Sequence, residues 1–174
     1  TGEKARVWGS LLSARGIAFA PNPRFVWCLS GDGLAPVHLL DTTTGRPQMR
    51  LSADRLGASK CSFEPKQKLI AVAGSAKDFK GAVVWDVSDP DNPFPIPVED
   101  ECFSVAISPA APLVALNSGL QVQLFDLKEE RTRHTLSASD KYVNNLVFSP
   151  NGALLAVHGR AALSVWDVKT GSKK

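Results

Sequence analysis

Four times along this 174-residue chain a short apolar run ends in aspartate: Leu39-Leu40-Asp41, Val84-Trp85-Asp86, Leu124-Phe125-Asp126 and Val165-Trp166-Asp167. The four aspartates stand 45, 40 and 41 residues apart. A period of roughly 40–45 residues marks a repeat architecture, in which each unit buries its apolar faces against its neighbours. Such a period constrains the fold more than any other feature of the chain. It points away from catalysis and says little about a particular partner.

A second marker keeps the same period. Each unit carries an apolar strand that stops at a proline: Ile17-Ala18-Phe19-Ala20-Pro21, Cys61-Ser62-Phe63-Glu64-Pro65, Val105-Ala106-Ile107-Ser108-Pro109 and Leu146-Val147-Phe148-Ser149-Pro150. These prolines are 44, 44 and 41 residues apart. The larger side chains mostly alternate onto one face, as in a strand. Proline cannot donate to a ladder, so it ends the strand and opens a turn. Asn151-Gly152 after the last proline is a strong hairpin signal.

A further strand follows each proline turn: Phe25 to Ser30, Leu69 to Ala73, Leu113 to Leu116 and Leu154 to Val157. These runs are apolar on both faces, as expected of strands sandwiched between neighbouring sheets. The strand ending in aspartate comes next, and then a polar turn such as Thr44-Gly45-Arg46-Pro47 leads to an outermost strand. After Asp86 the segment from Asp89 to Pro97 holds four prolines. It suits an edge strand or an extended loop and no interior strand.

These motifs in register resemble the WD40-repeat family across essentially the whole chain. The last unit is the nearest to its pattern, from Leu146-Val147-Phe148-Ser149-Pro150-Asn151-Gly152 through Val165-Trp166-Asp167. The resemblance implies an all-β fold, a β-propeller of four-stranded antiparallel blades, with about four repeats filling residues 1–174 and units ending near Asp41, Asp86, Asp126 and Asp167. The repeats are divergent. The family often carries a Gly-His pair before the proline-ended strand, and here the corresponding stretches read Leu12-Ser13-Ala14-Arg15, Leu51-Ser52-Ala53-Asp54 and Leu136-Ser137-Ala138-Ser139. The buried histidine–tryptophan hydrogen-bond network of well-formed repeats is therefore expected to be missing or replaced, with stability resting on apolar packing.

Both ends of the sequence fall just after the aspartate-ended strand, so we expect a segment of a longer propeller within a larger protein. An open arc of blades would expose one apolar sheet face at each end, which invites association. Three arrangements would cover those faces: additional blades, self-association with a second copy, or a four-bladed ring. In the last of these, Lys4 to Leu11 would complete the final blade.

The charge is nearly balanced at +3, with no block of like charges to suggest a nucleic-acid partner. No apolar stretch approaches the length of a membrane span, and no membrane partner is expected. Cys28, Cys61 and Cys102 are odd in number and lack metal-ligand spacing. Buried free thiols in a reducing, cytoplasmic setting are the simplest reading.

No phosphate-binding, zinc-hydrolase or nucleophile-elbow motif occurs, and His38, His134 and His158 have no partners at ligand spacing. Glu99-Asp100-Glu101 reads as a solvated loop rather than a general acid and base. Neither a catalytic residue nor a cofactor or metal is expected. By resemblance, partners engage the loops on one face of the ring. The loops before the proline-ended strands then supply Arg15, Lys60, Glu101, Lys141 and Tyr142 as candidates, with Asp54, Arg55, Glu99 and Asp100 beside them. Those after the following strand supply Asp32, Lys77, Asp78, Phe79, Lys80 and Arg160. Tyr142 and Phe79 stand out because aromatics dominate interface hot spots. Ser75 to Lys80 reads as an extended loop on a rigid scaffold.

The expectation is a non-catalytic WD40-type scaffold for protein–protein or protein–peptide interaction. Two alternatives remain: a fragment of an enzymatic propeller with its site at the central channel, and a purely structural half-ring.

Overall fold

The computed structural model describes residues 14–30, 37–52, 56–138, 142–160 and 162–174, with backbone alone for residues 14 and 15. Fifteen strands and no helix occur among them. They form four antiparallel sheets that follow one another along the chain. Sheet I holds β1 (Ala14–Phe19), β2 (Phe25–Ser30), β3 (Val37–Asp41) and β4 (Pro47–Leu51). Sheet II holds β5 (Ala58–Glu64), β6 (Leu69–Ser75), β7 (Lys80–Asp86) and β8 (Asp89–Pro97). Sheet III holds β9 (Val105–Ile107), β10 (Leu113–Ser118), β11 (Gln121–Asp126) and β12 (Arg131–Ser137). Sheet IV holds β13 (Val143–Phe148), β14 (Leu154–Gly159) and β15 (Leu163–Asp167). In each sheet the strands lie side by side in chain order, a meander of hairpins.

The two sequence markers fall where the period places them. β3, β7, β11 and β15 each end on one of the spaced aspartates, and β1, β5, β9 and β13 each stop shortly before one of the spaced prolines. The proline-rich segment is β8, which pairs with β7 alone and so forms a sheet edge. There its missing N–H groups cost no ladder bond on the outer side. Sheet IV has three strands among the described residues. Past β15 the chain turns back along its edge, Lys173 opposite Trp166, with Asp167 N donating to Ser172 O at 2.9 Å. The proposed closing segment, Lys4 to Leu11, lies outside the described residues.

Packing follows from the period of two along each strand. In β6, Ile70 and Val72 face sheet I, where together with Trp85 of β7 they meet Trp27 and Leu29. The alternate residues Ala71 and Ala73 face sheet III, where they meet Val105, Val114 and Leu116. In β10 the same division sends Val114 and Leu116 toward sheet II and Leu113 and Ala115 toward sheet IV, against Leu146, Phe148, Leu155 and Trp166. Three cores therefore alternate with four sheets. Each fully buried Val, Leu or Ile in them contributes about 1.5–3 kcal/mol relative to exposure.

The two outer faces of the stack are different. Ile17 and Phe19 are 75% and 70% exposed. They occupy the positions that Val105 and Ile107, or Leu146 and Phe148, hold in sheets III and IV, where a preceding sheet buries them. On the far side of sheet IV, Val147 and Leu163 are likewise exposed.

At one end of the sheets the repeated aspartates build the turns. Asp41 Oδ1 accepts from the Thr43 and Thr44 amides at 2.7 and 3.3 Å, and Oδ2 accepts from Arg24 Nη2 at 2.7 Å. Asp126 accepts from the Lys128 and Glu129 amides at 2.8 and 2.9 Å and pairs with Arg133. Asp167 accepts from the Lys169 and Thr170 amides at 3.1 and 3.0 Å and pairs with Lys174 at 3.2 Å. Asp86 closes a tighter, two-residue hairpin and accepts from the Ser88 amide at 2.7 Å. The aspartate is thus a local turn-maker: its carboxylate satisfies amides that the ladder leaves unpaired.

These contacts set the acidity of the carboxyls. The Arg24 guanidinium and then the Thr43 hydroxyl hold Asp41 well below the usual carboxylate range. Burial alone would raise Asp126, but the Glu129 and Lys128 amides and Arg133 outweigh it and lower it. The Thr170 amide and Lys174 lower Asp167.

Trp166 Nε1 donates to Ser164 Oγ at 2.9 Å inside the core between sheets III and IV. Among the described residues the buried Trp27 indole N–H has no hydrogen-bond partner.

Candidate functional site

The opposite end of the sheets carries the loops that lead into β5, β9 and β13 and the connections β6–β7, β10–β11 and β14–β15. Between sheets III and IV these loops border an open cleft of about 310 Å³, lined by Asp100, Glu101, Phe103, Asn117, Gly119, Leu120, Tyr142 and Val143. Its construction starts from Asn117, which with Ser118 forms the polar end of a buried strand whose first four residues are apolar. Asn117 Oδ1 accepts from the Phe103 and Ser104 amides, each at 2.8 Å. Its Nδ2 donates to Glu101 O at 3.0 Å and Gly119 O at 3.4 Å.

Two hydroxyls complete the clamp. Ser118 Oγ accepts from the Asp100 amide at 3.3 Å, and Ser75 Oγ in β6 accepts from the Cys102 amide at 2.8 Å. The Gly119 amide adds a bond to Glu101 O at 3.0 Å. The segment 100–104 has no strand of its own, yet its backbone groups are held by sheets II and III. A loop pinned in this way presents its side chains at low entropic cost on binding.

Gly119 is required by geometry. Its φ is +56°, and a Cβ there would stand 3.1 Å from both Cβ and Oδ2 of Asp100. The Asp100 side chain therefore lies directly over the β10–β11 turn.

The rest of the lining is apolar and open. Phe103, Leu120 and Tyr142 are 45%, 46% and 57% exposed. Among the described residues seven large hydrophobic side chains are exposed. Four sit on the two outer sheet faces, and the other three all converge on this cleft. No hydrogen bond or ion pair engages the Asp100 or Glu101 carboxylate among the described residues. A second cleft of about 330 Å³ lies at the turn end between sheets I and II, lined by residues such as Phe25, Trp27, Leu39 and Phe63. None of the exposed large hydrophobic side chains lines it, and Lys68 is its one charged residue.

The candidates read from sequence scatter over this end. Glu101 and Tyr142 come together in the cleft. Lys60 lies within β5 rather than in a loop, and its Nζ spans to sheet IV, donating to Asn144 O at 3.2 Å and Asn145 Oδ1 at 2.5 Å. Burial lowers its pKa. Lys77 and Asp78 are exposed on the β6–β7 connection. Phe79 turns inward and packs on the core between sheets I and II, so it does not share a patch with Tyr142. Lys80 opens β7, with Nζ 3.5 Å from Glu99 O. Ser75 and Lys80 pair across the ladder, which shortens the expected long loop to residues 76–79. Arg160 is exposed after β14, outside the cleft lining. Arg15 lies in β1 without a described side chain, and Asp32 and Lys141 lie outside the described residues.

Sequence reasoning missed Phe103, Leu120 and Asn117. Each carried a signal: an aromatic two residues after an acidic run, a leucine in a two-residue turn, and an asparagine following an apolar run.

The cleft offers two carboxylates beside exposed apolar side chains. Among the described residues no three His, Cys, Asp or Glu side chains gather at metal-binding distance. Burial pushes the Cys61 thiol up to about 11 and the Cys102 thiol up to about 12, and raises Cys28. All three remain thiols at neutral pH rather than thiolate nucleophiles. No described helix is long and apolar enough to cross a membrane.

No protein-family model matches the chain. A stretch of 73 residues is 37% identical to mitogen-activated protein kinase-binding protein 1 of Mus musculus. The match covers 40% of this chain and 5% of the mouse protein's length. Together with the four successive antiparallel sheets, it is consistent with a WD40-like repeat fold. The mouse protein's name points to protein partners.

Proposed function

We propose that residues 1–174 form a WD40-type β-propeller segment that serves as a non-catalytic interaction module, with its partner-binding surface at the III/IV cleft. The observation that carries this reading is the convergence of Phe103, Leu120 and Tyr142, all substantially exposed, on a loop fixed by Asn117. Monomeric surfaces rarely gather apolar side chains without a partner for them. The name of the mouse relative makes a mitogen-activated protein kinase the first partner to try. The exposed outer faces of sheets I and IV favour an array completed by further blades, and the free thiols suit a cytoplasmic setting.

The test is affinity capture from cell extract on the immobilised chain, comparing the wild type with the double variant Phe103→Ser and Tyr142→Ala, both shown to be folded. Proteins retained by the wild type and lost from the variant, kinases included, support the reading. An identical set on both, or no specific set, overturns it.

A further inference from the structure

The cleft between sheets III and IV joins two chemistries that constrain what can occupy it. One wall is the pinned acidic loop, with the Asp100 carboxylate over Gly119 and Glu101 beside it. The other is apolar and aromatic: Phe103, Leu120 and Tyr142. Glu99 precedes the pair in sequence, and Lys80 Nζ rests on the Glu99 carbonyl at 3.5 Å. A phosphate or nucleic-acid backbone would meet like charge there. The cleft is open rather than enclosed, which suits an extended segment more than a small apolar molecule.

Building on the proposed function above, we infer that this cleft takes an extended polypeptide segment in which a lysine or arginine stands next to a large apolar residue. The cation is directed to Asp100 and Glu101, and its apolar neighbour lies against Phe103, Leu120 and Tyr142. Aromatic faces at the rim add attraction for the same cation. Asn117 is a positioning residue: it holds the backbone that carries Glu101 and Phe103.

The test is an NMR titration of the whole chain with three synthetic peptides in one glycine–serine background. Their central pairs are lysine–phenylalanine, glutamate–phenylalanine and lysine–serine. The lysine–phenylalanine peptide is expected to shift the signals of Phe103, Leu120 and Tyr142 and to bind at least tenfold tighter than either other peptide. Glu101→Gln and Asp100→Asn should each weaken it by about two- to fivefold, as exposed ion pairs do. Phe103→Ala should weaken it by about tenfold, as loss of an aromatic contact does. Glu130→Gln, at the turn end, should leave it unchanged. Equal binding of the glutamate–phenylalanine peptide, or no shift at the three cleft residues with the lysine–phenylalanine peptide, overturns the inference. If that happens while extract proteins are still lost from the Phe103→Ser, Tyr142→Ala chain, the partner chemistry is wrong and the interaction module stands.

Discussion

The two ends of these sheets use the same kind of residue for different purposes. At the turn end, Asp41, Asp126 and Asp167 are each committed to backbone amides and to a cation. At the cleft end, the side chains of Asp100 and Glu101 make no such bonds among the described residues, while their backbone is held by Asn117, Ser118 and Ser75. Carboxylates at one end hold the chain together; at the other they are held in place by it. A pinned loop with uncommitted charge and exposed aromatics is the arrangement expected of a binding surface.

The largest lesion should erase the comparison by weakening both ends together. Leu116→Ala empties a fully buried site in the core between sheets II and III and should cost about 2–5 kcal/mol in denaturant unfolding. Asn117→Ala should cost about 3 kcal/mol, because it strands the Phe103 and Ser104 amides and removes a donor from the Glu101 and Gly119 carbonyls, and it should also disperse the NMR signals of residues 100–104. That variant separates the ends: the turns after Asp126 and Asp167 should keep their signals.

Asp126→Asn is its mirror image. It removes a carboxylate from a buried cradle and should cost about 1–2 kcal/mol in unfolding, leaving partner binding intact. Acid sharpens the same contrast. The turn-end carboxyls have folded pKa values below their unfolded value of about 4. Their stabilisation is complete above that value and is lost as pH falls through the lowered range. Melting temperature should therefore hold between pH 7 and 5 with respect to these groups and drop below pH 4. Asp126→Asn and Asp167→Asn should flatten the drop. The smallest stability effect belongs to Glu101→Gln, which should stay within about 0.5 kcal/mol of wild type by chemical unfolding.

Much of the architecture is legible in the sequence because it is written in local chemistry. The prolines stop β1, β5, β9 and β13, and the doubly apolar runs become β6 and β10, buried on both faces. The aspartates mark strand ends, but their work in the turns depends on cations that come from different places: Arg24 from the β1–β2 turn, Arg133 from β12, and Lys174 from the tail. Spacing along the chain does not reveal such pairs. The cleft was less legible for a similar reason. Glu101 and Tyr142 were readable as loop residues, but Phe103 and Leu120 join them only because Asn117 folds one loop onto another. Phe79 resembled an exposed anchor in sequence, and the extension of β6 and β7 turned it into the core.

The central claim is that partners meet the cleft end and leave the turn end bare. A photo-reactive benzoylphenylalanine placed at Leu120, and in a separate chain at Glu130, tests it directly in cell extract. Glu130 lies on the β11–β12 turn, at the opposite end of the strand that starts beside Leu120. The account predicts discrete protein adducts from position 120 and none from position 130. Equal adducts from both positions, or adducts from position 130 alone, would contradict it.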